Sequence, residues 1–248
     1  MALSISQTAA LQKILKPGMR ICSLGYPDII APIKYLPGLE YRADSEAICR
    51  RHGLPLRQIP DAESYFALLG CKLDVYDIVR ERGCEIEIDL NYPVPMMGWT
   101  GKHGIYDVVL DVGTAEHCFN IGQAIINMAS LVKEGGYIIH ENPHSGWGNH
   151  GFYSLHPTWY HDFYETNGFK LLNCHLVTRD GRIGDVPHTK RFQANGEELN
   201  IFALAQRVTI QPFTYPQQTK YATMVAAQAA PAAGDSGERA ADARAIGA

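Results

Sequence analysis

YDVVLDVGTAEHCFNIGQAIINMASLVKEGGYIIHENP, residues 106–143, decides how the chain is read. It opens on one β-type run, YDVVLDV (106–112), and ends in another, GYIIHE (136–141). Between them Ile121, Ala124, Ile125, Met128 and Leu131 recur at i, i+3, i+4, i+7 and i+10, which is one face of a helix. The spacing predicts helix over 119–136, with Lys133 in the last turn and Gly135-Gly136 as the stop. Strand, helix and strand of these lengths make a βαβ crossover, and therefore a parallel sheet.

Working outward, the same alternation continues. Further β-type runs are 19–26, 71–78, 84–90, 169–177 and 200–208, and helical stretches are 61–70 and 157–168. The fold class is α/β. One domain is expected over 1–215, with 27–60 as a cap insertion and 142–165 as an acceptor-side segment. The alanine-rich stretch 216–248 has almost nothing to bury and reads as a disordered tail.

Composition limits the function. The 248 residues are 46% apolar and 19% charged, enough for a sizeable core. A net charge of −4 and a pI near 6.2 argue against a binder that neutralises nucleic-acid phosphates. No apolar run reaches the roughly 18–20 residues that a membrane helix needs. The first residues mix polar with apolar side chains and do not read as a secretory signal. Six cysteines without a CxxC pair fit reduced thiols, so a cytoplasmic location is expected.

In open parallel sheets, ligands sit outside the carboxyl ends of the strands, near the switch point in strand order. Those ends carry Gly25, Tyr26 and Asp28 after the first β run, then Asp77, then Asp89, Leu90 and Asn91. They continue with Asp111, Gly113, Thr114, Glu116 and His117, and close with His140, Glu141 and Asn142. Each acid alone is an ordinary turn or cap residue. Gathered at consecutive strand ends, they point to a binding site.

The 106–143 stretch resembles class I S-adenosylmethionine-dependent methyltransferases of the small-molecule type. There a D-V-V strand is followed by an E-H pair, an amphipathic helix, a K-x-G-G turn and a new strand. The resemblance implies a doubly wound, mostly parallel seven-stranded sheet, Rossmann-like, with helices on both faces and a last antiparallel strand inserted next to the edge. It also implies cofactor-binding roles for Gly25, Tyr26, Asp77, Asp89, Leu90, Asp111 and Thr114. Gly25 would let the first loop pass close to the methionine part of S-adenosyl-L-methionine. Asp77 would accept from the ribose hydroxyls, Asp89 and Leu90 would border the adenine, and Asp111 would lie beside the sulfonium. The first loop departs from the pattern: it reads SLGYPD, with one glycine where several are usual.

Residues 140–144, HENPH, match the H-E-x-x-H pattern of zinc proteases. Pro143 directly before His144 opposes the helix that this motif requires, so that reading is set aside. The histidines and aromatics around it suit an acceptor pocket, with His140 or His144 as the base. Glu116 and His117 are similar to a metal-binding pair in some magnesium-dependent O-methyltransferases, whose upstream acid is Gly113 here. A divalent metal is therefore possible but not favoured. The expected activity is methyl transfer to a hydroxyl or amine of a small polar acceptor, such as a sugar. No nucleic-acid or membrane partner is expected, and a homodimer stays open. The alternative is an inactive, methyltransferase-like binding or scaffolding protein. A nicotinamide enzyme is disfavoured because no GxGxxG follows any β run.

Overall fold

Every strand end named above depends on where the chain pairs its apolar runs. The computed structural model describes residues 2–93, 104–178, 181–186, 190–194 and 196–229. The chain begins with β1 (Ala2–Leu3), α1 (Ile5–Ile14), β2 (Arg20–Leu24) and β3 (Asp28–Ile29). Next come α2 (Ser45–Arg51), α3 (Ala62–Leu68), β4 (Lys72–Asp77), β5 (Ile86–Glu87) and β6 (Tyr106–Asp111). Then follow α4 (Ile121–Leu131), β7 (Val132–Ser145), α5 (Pro157–Thr166) and β8 (Phe169–Thr178). The last elements are β9 (Ile183–Asp185), β10 (Leu199–Arg207) and α6 (Thr219–Ala229).

Among the described residues the main sheet has eight strands in the order β5-β4-β2-β6-β7-β10-β8-β9. The first five are mutually parallel, and β10 runs antiparallel between β7 and β8. This is the Rossmann-like arrangement expected, including the last long strand inserted next to the edge. The count is a correction: β9 adds an eighth strand beside β8. Its three residues are too few to show a period-2 pattern. Strand order reverses between β2 and β6, and there the carboxyl ends diverge to leave a crevice.

Alternation along the strands makes two cores. Leu24, Tyr76, Val109, Ile138 and Ala203 face α4 and α5, packing on Ile125, Met128, Tyr160 and Tyr164. Ile21, Val75, Val108, Leu110, Ile139 and Phe202 face α1 and α3, packing on Leu11, Tyr65 and Phe66. Successive residues therefore point to opposite layers.

Several elements differ from the sequence reading. Helix α4 stops at Leu131, because Val132 turns extended and pairs with Tyr106 of β6. Arg207 of β10 donates to the carbonyls of Ala129 and Val132 at 3.0 and 2.8 Å, bonding the helix end. Helix α1 was not foreseen. It starts with a capping box in which the Ser4 hydroxyl accepts from the Gln7 N–H and Gln7 Oε1 accepts from the Ser4 N–H. Within the expected tail, 219–229 is helix α6, and Asp162 accepts from the Thr219 N–H at 3.1 Å. Residues 230–248 lie outside the described residues.

Gly168 links α5 to β8 with φ +74°, and a Cβ there would come within 2.8 Å of the Thr209 carbonyl oxygen. Gly168→Ala is expected to lower stability by about 2 kcal/mol, from the left-handed backbone cost and the contact together. Urea denaturation checks this, and an unchanged midpoint would contradict it.

Candidate functional site

A cavity of about 1160 Å³ opens over the carboxyl ends at the switch point. Asp77 ends β4 there, its Oδ1 accepting from the Val79 N–H at 3.2 Å. Asp89 and Leu90 lie on the same wall, with Asp89 Oδ1 accepting from the backbone and side-chain N–H groups of Asn91 at 2.9 and 2.7 Å. Thr114 follows β6 and also borders the cavity, its hydroxyl donating to the Leu24 carbonyl at 2.6 Å. The structure thus brings four of the expected cofactor residues together: Asp77, Asp89, Leu90 and Thr114.

The first loop is arranged differently from expectation. Gly25 has φ +86°, and its N–H donates to the Tyr76 carbonyl at 2.7 Å. Tyr26 is buried, with its hydroxyl donating to Asp61 at 2.6 Å and the guanidinium groups of Arg42 and Arg82 over its ring. Burial and the Asp61 bond raise its pKa. Among the described residues, neither Gly25 nor Tyr26 lines the cavity.

Asp111, at the end of β6, and His140 and His144, on β7, also stand elsewhere. Residues 140, 142 and 144 share one face of β7, and 141 and 143 share the other. Glu141 and Pro143 border the cavity, whereas the buried His140, Asn142 and His144 do not. His140 Nδ1 lies 2.7 Å from Asp111 Oδ2, and its Nε2 bonds the Tyr164 hydroxyl. Asp111 is fully buried and also accepts from the Thr114 N–H at 2.8 Å and Asn142 Nδ2 at 2.9 Å. Burial alone would raise the Asp111 pKa, but the hydrogen bond and charge of His140, with Asn142 and Thr114, hold it below the ordinary value. His144 donates from Nδ1 to the Leu155 carbonyl at 2.7 Å and stacks on Phe192. As folded, neither histidine lines the cavity, so this geometry gives the expected base at His140 or His144 no support.

Glu141 takes their place at the cavity wall. Its carboxylate accepts from the Ser4 hydroxyl and from Asn200 Nδ2. Burial raises its pKa, against the pull of those two donors. Ser4 belongs to the N-terminal segment, which closes one side of the cavity; its S-x-x-Q spacing to Gln7 is the sequence signal that a helix starts there. Arg51, His52 and Leu54, from the 27–60 segment, close another. Trp147 and His150 border it from the segment after β7.

The Glu116-His117 pair stands at this rim on a 3₁₀ turn, Ala115–His117. Glu116 is buried and accepts from Asn142 Nδ2 at 2.9 Å through Oε2. Its Oε1 lies 3.9 Å from His117 Nε2 and 3.6 Å from His150 Nε2. The Glu116 contact raises the His150 pKa, more than burial lowers it. The meeting of His150 with this pair had no signal in the sequence, since 33 positions separate His150 from His117.

No protein-family model matches the chain, and no curated protein does. Solved structures align with it only at low similarity. A candidate methyltransferase of Bacillus halodurans aligns at a TM-score of 0.49 and 13% identity, covering 82% of this chain and 100% of that one. The Burkholderia thailandensis 1,6-didemethyltoxoflavin-N1-methyltransferase, solved with 1,6-didemethyltoxoflavin and S-adenosylhomocysteine, aligns at 0.45 and 11%, covering 82% and 76%. An S-adenosylmethionine-dependent methyltransferase of Aquifex aeolicus aligns at 0.36 and 11%, covering 79% and 88%.

Proposed function

We propose that the chain is an S-adenosyl-L-methionine-dependent methyltransferase acting on a hydroxyl or amine of a small polar acceptor. One observation carries the reading: Asp77, Asp89, Leu90 and Thr114 converge on a single cavity at the switch point of a sheet with this strand order. The residues fit the cofactor. Asp77, the carboxylate that ends β4, would accept from ribose hydroxyls, and half-buried Asp89 with buried Leu90 after β5 would meet the purine. The cavity of about 1160 Å³ exceeds the few hundred Å³ a cofactor fills and leaves room for an acceptor. Bound S-adenosylmethionine supplies an activated methyl group. The chain holds the acceptor in line with it and removes the acceptor's proton. Glu141, facing the cavity with a raised pKa, is the candidate base. Carboxylates and imidazoles around the space, with Trp147 at its edge, suit a polar acceptor such as a sugar.

The inward-turned first loop favours a second reading, in which the chain binds the cofactor or its product without turnover. Calorimetry with S-adenosylmethionine and S-adenosylhomocysteine, followed by a labelled-methyl transfer screen over hydroxyl and amine acceptors, separates the two. Micromolar binding with transfer is the expected result. Binding without transfer supports the scaffold reading, and no binding of either ligand to folded protein overturns both.

A further inference from the structure

A carboxylate as buried as Glu116, 1% exposed, is costly unless every lone pair meets a donor or a cation. Asn142 meets one oxygen, and the other is aimed at two imidazole nitrogens. The ligand atoms of Glu116, His117 and His150 all lie within 4.8 Å of one another. The loop that carries His150 is held against Glu116. The Phe152 N–H donates to the Glu116 carbonyl at 2.9 Å, and a Cβ at Gly151 would sit 2.9 Å from that same oxygen. Only glycine permits this approach, so His150 is delivered to the pair by the backbone.

We propose that Glu116, His117 and His150 form a binding site for a divalent first-row transition cation such as zinc or manganese, open on its cavity side. Two imidazoles and one carboxylate are the donor set of such ions, whereas magnesium prefers an all-oxygen shell. A tetrahedral ion with bonds of ~2.1 Å needs ligand separations of roughly 3.4 Å. The 3.9 and 3.6 Å pairs reach this by small rotations of two partly exposed side chains. Three protein ligands leave a position for an oxygen or nitrogen of the acceptor, since all three residues border the cavity. The site stands independently of the cofactor reading.

The test is titration of the chelator-stripped full chain with zinc, manganese and magnesium by calorimetry, with cobalt absorption spectra to report imidazole ligation. One saturable site is expected for zinc and manganese, with magnesium about 100-fold weaker. His117→Ala and His150→Ala should each weaken zinc binding at least ~10-fold, with thermal melts on the same samples showing that both variants remain folded. His161→Gln, on the surface of α5, should leave zinc binding unchanged. Lack of a saturable site, or zinc binding retained in both histidine variants, overturns the proposal. S-adenosylhomocysteine binding measured on the same samples keeps failure here distinct from failure of the methyltransferase reading.

Discussion

Asp77→Ala is expected to weaken binding of S-adenosylmethionine and of S-adenosylhomocysteine by roughly 10- to 100-fold. The figure follows from losing hydrogen bonds to an ionised carboxylate, about 1.5–3 kcal/mol in all. Asp77 ends β4 at the cavity wall, and it is only half-buried, so the fold depends little on its side chain. The bond that alanine removes, Val79 N–H to Asp77 Oδ1, caps a surface turn at 3.2 Å. Its loss should cost at most about 1 kcal/mol. Calorimetry on wild type and variant gives the affinity ratio, and thermal melts confirm the fold. Asp77→Asn keeps an acceptor oxygen without the charge and should fall between them. Equal affinities for wild type and Asp77→Ala would detach the ribose from β4 and remove the main support for the cofactor's orientation.

The sequence located this wall well because strand ends are set by the apolar runs themselves. Asp77, Asp89 and Leu90 each follow a short β run, and a parallel sheet with a switch point brings such ends together. Which face of its strand a residue uses was less legible. A run such as GYIIHE is apolar on both faces, because helices cover both sides of the sheet, so alternation gives no sign of which side holds the cavity. His140 and Glu141 are neighbours with equal claims in the sequence, and a one-residue difference sends one into the α5 layer and the other to the cavity. Ser4, and the meeting of His150 with Glu116 and His117, were missed for another reason. Both arrive through loops and short turns whose course depends on tertiary packing, such as the close approach at Gly151. The Pro143 argument against a zinc-protease helix rested on local backbone chemistry alone, and HENPH does lie in β7.

His140→Ala is expected to destabilise the chain by about 3–5 kcal/mol, because it leaves Asp111 buried without its main partner. The Tyr164 hydroxyl, equally buried, loses its bond as well. For a domain of this size each kcal/mol shifts the melting temperature by roughly 2–4 °C, so the drop should be about 6–20 °C. The pH dependence has a defined sign. Asp111 titrates below its ordinary value in the folded chain, so it binds fewer protons folded than unfolded. Its stabilising contribution is complete above the unfolded carboxylate value of about 3.9 and is lost as pH falls through the lower folded value. Removing His140 removes the hydrogen bond and charge that hold Asp111 down, so the variant should lose stability with acid at a higher pH than wild type. Melting curves of both proteins between about pH 3 and pH 7 read this directly. A variant that melts like wild type but fails to transfer a methyl group would return His140 to the role of base. That would require His140 to leave its place between Asp111 and Tyr164 during the reaction, since β7 as folded turns Glu141, and not His140, toward the cavity.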